Sequence, residues 1–119
     1  MLNLDTHILV FALIGQLKAA EGRLLRSARW SMSAIVLWEL AKQAQLGRID
    51  VDLTEPSVRR ALAAVHVWPI TLEVAVASTQ LDVRGDPADE LIAATSLVHR
   101  IPLLTRDQTL LASKLVPLA

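Results

Sequence analysis

The chain contains no cysteine, so neither a disulfide framework nor a cysteine-bound zinc site is open to it. No apolar run approaches the ~20 residues that a bilayer-spanning helix needs; the longest N-terminal stretch is interrupted by Asp5 and His7. The N-terminus also lacks the basic start of a secretory signal. These absences lead to the expectation of a cytoplasmic protein with no membrane segment. Nor is there an excess of basic charge: 12 Lys and Arg balance 12 Asp and Glu, whereas nucleic-acid-binding proteins usually carry a basic surplus. No linker, low-complexity tract or fixed-period repeat divides the 119 residues, a length typical of one domain.

What is abundant is apolar. Hydrophobic residues make up 53%, and the mean hydropathy of +0.43 is high for a small domain. A chain of this size leaves much of its surface unburied, so part of the surplus is expected to face a partner, in an oligomer or a tight heteromer. Nine of the 12 basic residues are arginine, whose planar fork suits phosphate. The same arginine content also follows from a GC-rich genome. If four carboxylates gather around a cation, eight acids remain to face 12 basic groups, and the rest of the surface turns mildly basic.

Strand and helix signals alternate along the chain. Met1–Leu4 reads as a buried strand, and Asp5-Thr6 opens an apolar helix, His7–Ile14, that stops at Gly15. Lys18–Ala28 reads as a helix with its charges outward, and Arg29–Met32 as a second strand. Ser33 is an N-cap for a helix reaching Leu46, ended by Gly47. Asp50–Thr54 is irregular; Glu55-Pro56 starts another helix. Trp68-Pro69-Ile70 is a short extended piece and Leu72–Leu81 a helix. Asp86-Pro87-Ala88-Asp89 is the clearest helix start, running to about His99. Ile101–Leu104 is a strand, followed by a short helix to Ser113, with Leu115–Leu118 as a last strand. This order implies an α/β fold with a central, mainly parallel sheet.

Four acids carry the candidate chemistry. Asp5 directly follows the first strand and Asp107 the strand Ile101–Leu104. In open parallel sheets functional groups gather beyond the carboxyl ends of strands, so the two can converge. Asp89, in the first turn of the helix before that late strand, can point the same way. Glu39 stands inside the apolar run Ala34–Ala41, at the edge of the core or lining a pocket. Carboxylates without a cysteine or histidine cluster suit hard cations such as Mg²⁺ or Mn²⁺. A cation of that kind polarises a phosphoryl oxygen and generates hydroxide, which fits phosphodiester hydrolysis.

Each acid also has a plain structural reading. Asp5 can cap the first helix, Asp86 and Asp89 form a capping pair, Asp107 can interact with a helix dipole beside a Thr105 cap, and Glu39 can pair with Lys42. His7, His66 and His99 show no metal-ligand spacing. Trp30, Trp38 and Trp68 read as packing residues, Trp38 most clearly; Arg26/Arg29 and Arg59/Arg60 read as solvated helix faces that can also meet RNA.

Four segments, in order and spanning nearly the whole chain, make it resemble the PIN-domain family, in particular the VapC-type toxin ribonucleases of VapBC toxin–antitoxin pairs. They are Met1–His7, Ser33–Leu40 with Leu46-Gly47-Arg48-Ile49 after it, Asp86–Ala94, and Leu103-Leu104-Thr105-Arg106-Asp107. Asp89, not Asp86, matches the third family acid, because it stands just before Leu91-Ile92-Ala93-Ala94. The apolar residues after Ser33-Ala34 depart from many relatives, which carry a second hydroxyl there.

The resemblance implies one PIN-like (Rossmann-like) three-layer α/β/α domain over 1–119. Asp5, Glu39, Asp89 and Asp107 would be both metal ligands and catalytic residues, with one or two Mg²⁺ or Mn²⁺ ions. Thr105 and Arg106, in the last motif, would be substrate contacts. It further implies endonucleolytic cleavage of RNA leaving 5′-phosphate and 3′-hydroxyl ends, a homodimer, and a cognate antitoxin partner.

Two competing readings are weighed against this. A non-catalytic binding module on the same fold would be free to lose some of the four acids, yet all are present. A phosphoryl-transfer domain, receiver-like or phosphatase-like, would want adjacent acids after the first strand or a second acid two residues after Asp5, where His7 stands.

Overall fold

A computed structural model describes residues 1–119. Eleven elements follow in the order β1 (Leu2–Leu4), α1 (Thr6–Ile14), α2 (Ala19–Arg26), β2 (Trp30–Ser33), α3 (Ala34–Gln45), α4 (Pro56–Ala63), β3 (His66–Trp68), α5 (Leu72–Ser78), α6 (Pro87–His99), β4 (Leu103–Leu104) and α7 (Gln108–Leu111). The four strands pair in the order β3-β2-β1-β4, all parallel. β1 is therefore central and buried along its whole length, as a strand covered on both faces must be.

The core joins the strands (Leu2, Leu4, Met32, Leu103, Leu104) to Ile8 and Leu9 of α1, Val36 and Leu40 of α3, and Ile92 and Ala93 of α6. Polar residues penetrate it too, Asn3, Ser31, Ser33, Thr95 and Ser96 among them. Asn3 is fully buried and donates its amide to the Ile92 carbonyl at 3.0 Å and to Ser96 Oγ at 2.9 Å. Those bonds tie β1 to α6, the helix that carries Asp89.

Several boundaries differ from the sequence reading, and proline explains three of them. β3 covers His66–Trp68 rather than starting at Trp68, because Pro69 has no N–H to continue the ladder. β4 is shortened to Leu103–Leu104 after Pro102. Leu115–Leu118 forms no strand beside Pro117 and contributes a single bridge, Leu118 to Leu103. Helix ends at Ala28 and Leu81 likewise retreat to Arg26 and Ser78.

Trp38 corrects a packing expectation. It is 57% exposed. α3 buries Val36 and Leu40, and a residue two positions from both projects to the opposite side of a helix. Trp68 packs as expected, stacked on His99 at 4.0 Å between ring centroids. Trp30 is half-buried and donates its indole N–H to the Leu25 carbonyl at 2.8 Å.

Candidate functional site

The acids meet at the carboxyl end of the sheet. Asp5 is the residue between β1 and α1, and it is 2% exposed. Its Oδ1 accepts the Thr6 N–H at 2.8 Å, while Oδ2 accepts the Thr105 hydroxyl at 2.6 Å. The second bond crosses from the end of β1 to the end of β4, so adjacent parallel strands bring together residues 100 positions apart. Burial raises the Asp5 pKa and nearby Asp107 adds to the rise, while the bonds from Thr105 and Thr6 and the nearness of His7 oppose it.

Thr6 connects the second acid. Its hydroxyl donates to Glu39 Oε1 at 2.5 Å. Glu39 therefore faces the end of β1 rather than pairing with Lys42, whose ammonium bonds Gln45 instead at 2.7 Å. Burial is the main cause of a raised Glu39 pKa, with repulsion from Asp86 and Asp5 behind it.

Asp86 caps α6 by accepting the Asp89 N–H at 2.9 Å. That leaves the Asp89 side chain free to face the site. Partial burial, then repulsion from Asp86, Asp5, Asp107 and Glu39, pushes its pKa up to about 7. Asp107 caps α7 through the Leu110 N–H at 3.1 Å, and its own N–H goes to the Thr105 hydroxyl at 3.0 Å. Thr105 thus bonds Asp5 and the Asp107 backbone at once.

Arg106, between them, is already engaged. Its Nε and Nη2 donate to the two carboxylate oxygens of Glu21 at 2.7 and 2.6 Å, and its guanidinium lies 3.8 Å from the Phe11 ring centroid. Glu21 is buried and held at a pKa of about 2 by this pairing. Arg106 accordingly fastens the Thr105–Asp107 turn to α2 and α1.

A half-enclosed cleft of about 450 Å³ opens beside Asp5, Glu39 and Asp89. Asp107 lies on an adjoining depression that shares His7 and Phe11 with it. Thr6, Gln43 and Arg48 line the cleft without having been singled out in the sequence. For Gln43 a signal existed: it follows Glu39 by four residues and so shares its helix face. Arg48 lies outside α3 and is brought in only by the turn that ends that helix.

Hard oxygen donors gathered in one half-enclosed cleft, where burial and then mutual repulsion raise the Asp89 pKa to about 7, fit a divalent cation. As placed, no three of the acidic or histidine side chains form a closed coordination cage. Mg²⁺ does not require one, since it keeps several waters and takes one or two carboxylates.

Known proteins share the fold and part of the sequence. The PIN domain family profile matches residues 3–113. Ribonuclease VapC22 of Mycobacterium tuberculosis is 33% identical over 96 residues, covering 77% of this chain and 73% of that protein. Among solved structures, VapBC2 from Rickettsia felis bound to a promoter DNA fragment aligns with a TM-score of 0.74 at 19% identity, over 100% of this chain and 98% of that one. A toxin–antitoxin complex from Klebsiella pneumoniae aligns with a TM-score of 0.72 at 22% identity, over 94% and 91%. At these identities the structural likeness speaks for the fold, and the sequence matches speak for ancestry. By the profile match over residues 3–113, this chain belongs to the PIN-domain family.

Proposed function

We propose that this protein is a Mg²⁺- or Mn²⁺-dependent endoribonuclease and the toxin of a toxin–antitoxin pair. The observation that carries the reading is the convergence of Asp5, Glu39 and Asp89 on one cleft, with Asp107 on the depression beside it. Surplus negative charge of that kind calls for a cation. The VapC22 relative, named a ribonuclease, supports RNA as substrate, and the toxin–antitoxin complexes sharing the fold support an antitoxin partner. The exposed apolar residues Leu37, Trp38 and Leu72 support protein partners, a second copy of the chain included.

Asp5, Asp89 and Asp107 would hold the metal, directly or through its bound waters, with Glu39 completing the shell or orienting the attacking water. When bound, the metal supplies charge neutralisation at the phosphoryl oxygens and lowers the pKa of water. Thr105 and Thr6 hold Asp5 and Glu39 in fixed orientations by their hydroxyl bonds. Glu39, with a raised proton affinity, is suited to take the proton of the attacking water. Attack at phosphorus breaks the bond to O3′ and leaves 5′-phosphate and 3′-hydroxyl ends.

The test is incubation of antitoxin-free protein with mixed structured RNAs, with Mg²⁺ or Mn²⁺ and with EDTA. Metal-dependent cleavage that is lost in Asp5→Asn is the expected result. Cleavage undiminished in a folded Asp5→Asn variant would sink the assignment. Metal binding without any hydrolysis would favour a non-catalytic module on this fold.

A further inference from the structure

Resting on the nuclease reading above, we propose that Arg48, assisted by Gln43, is the contact that receives a phosphate of the single RNA strand in the acid-lined cleft. Arg48 is the one arginine or lysine in the wall that holds Asp5, Glu39 and Asp89. The chain's single ion pair joins Arg106 to Glu21, so Arg48 has no carboxylate partner despite its acidic surroundings. Arg106 is committed to Glu21, and Arg59 donates to the Leu53 carbonyl at 2.9 Å. Arg23 and Arg26 line a different depression, at the start of α2.

The backbone builds this position. Gly47 adopts the left-handed conformation at φ 68°, and its N–H bonds the Ala44 carbonyl at 3.1 Å. The Arg48 N–H then reaches back to the Gln43 carbonyl at 2.9 Å. This crossed pair of bonds is a Schellman closure, which reverses the chain tightly at a helix end. It sets Arg48 beside Gln43, one helical turn beyond Glu39. A residue with a Cβ strains at that φ, so the glycine is what allows the reversal.

The chemistry of the pair selects the ligand. A guanidinium presents a planar fork to two phosphate oxygens, and a carboxamide adds a neutral donor. An isolated anion is repelled by the four carboxylates of this wall, Asp5, Glu39, Asp50 and Asp89. A phosphodiester that arrives where a divalent cation offsets those carboxylates is not. Single-stranded RNA is the form whose backbone enters a cleft of about 450 Å³.

The test compares wild type, Arg48→Ala and Arg48→Lys, each loaded with Mn²⁺. Binding of a fluorescein-labelled single-stranded RNA of mixed sequence is followed by anisotropy at 4 °C over a range of salt, with the RNA checked intact by gel. Mn²⁺ affinity is measured separately by calorimetry. The expected result is a loss of about tenfold in RNA affinity for Arg48→Ala, equivalent to ~1.4 kcal/mol. The log–log salt slope should become shallower by about 0.7, one single-strand phosphate contact. Arg48→Lys should keep the slope and regain part of the affinity, and melting temperatures should be unchanged. Unchanged RNA affinity and slope in Arg48→Ala, with wild type binding normally, would overturn the assignment. The same holds if Mn²⁺ binds more tightly while RNA binding stays constant, because Arg48 then only offsets the acids. Wild-type protein that binds no RNA at all would instead remove the nuclease reading, and this assignment with it.

Discussion

The Thr105 hydroxyl donates to Asp5 Oδ2 at 2.6 Å and at the same time accepts the Asp107 N–H at 3.0 Å. One buried side chain therefore sets both the orientation of the acid after β1 and the turn that carries the acid after β4. A hydrogen bond to a charged group contributes about 1.5–3 kcal/mol. Thr105→Val keeps the shape and removes the bond. The Asp5 pKa should rise further, because that bond is the largest influence holding it down. Cleavage should fall by about one to two orders of magnitude if the bond orients a reacting acid, and Thr105→Ser should restore most of it. Single-turnover rates measured against pH would check this, and an unchanged Thr105→Val profile would refute it.

Asp89→Asn should separate stability from activity. In the unfolded chain Asp89 ionises near 3.8, and in the metal-free fold at about 7. The folded state thus holds a proton that the unfolded state releases. Metal-free stability should fall as pH rises from 3.8 to about 7 and stay reduced above it. Asn carries no such charge. After solvent screening, the variant should be more stable than wild type at pH 8 by ~1 kcal/mol, or about 4 °C in Tm, while losing cleavage. Melting curves in EDTA at pH 4 and pH 8 decide it.

Mg²⁺ or Mn²⁺ should reverse that pH penalty in wild type. Ligand that binds only the folded state stabilises by mass action, about 2.7 kcal/mol at one hundred times Kd. The Tm should rise with metal concentration, more at pH 8 than at pH 5, since protons and the cation compete for the same carboxylates. A metal-independent Tm would argue against a cation at these acids.

The Glu21–Arg106 pair has the opposite pH signature. Glu21 is held at about 2 in the fold against an ordinary value of 4.5. Its contribution is present above pH 4.5 and is lost as pH falls toward 2. Glu21→Gln should lower Tm by roughly 5 °C at pH 7, and the gap to wild type should close between pH 4.5 and 2. A gap that is independent of pH would show that packing, not charge, fastens Arg106.

Trp38→Ala and Leu40→Ala should differ sharply. Trp38 is 57% exposed and Leu40 is 1% exposed. The first should change stability by no more than about 0.5 kcal/mol, and the second should cost about 2–5 kcal/mol. Urea denaturation of the isolated protein measures both.

Local chemistry made much of this legible. Pro87 behind Asp86, Ser33 before an apolar run and Gly47 after it mark helix ends through side-chain caps and a left-handed turn, all of which act within a few residues. The positions of Asp5 and Asp107 past their strands follow from alternation of strand and helix. Trp38 departs from its sequence expectation because an apolar helix does not announce which side it buries. That choice depends on where the sheet and α6 lie.

The sequence by itself determined the parallel α/β class, the helix starts and the four acids, because propensity and capping are short-range. Only the tertiary structure decided that Thr105 orients Asp5, that Thr6 reaches Glu39, that Arg106 is bound to Glu21, and that Arg48 stands in the acid cleft without a partner. Asp5–Thr105 and Glu21–Arg106 span 100 and 85 residues. Contacts of that separation exist only once neighbouring strands have paired, and no pattern along the chain encodes which polar groups will then share a hydrogen bond.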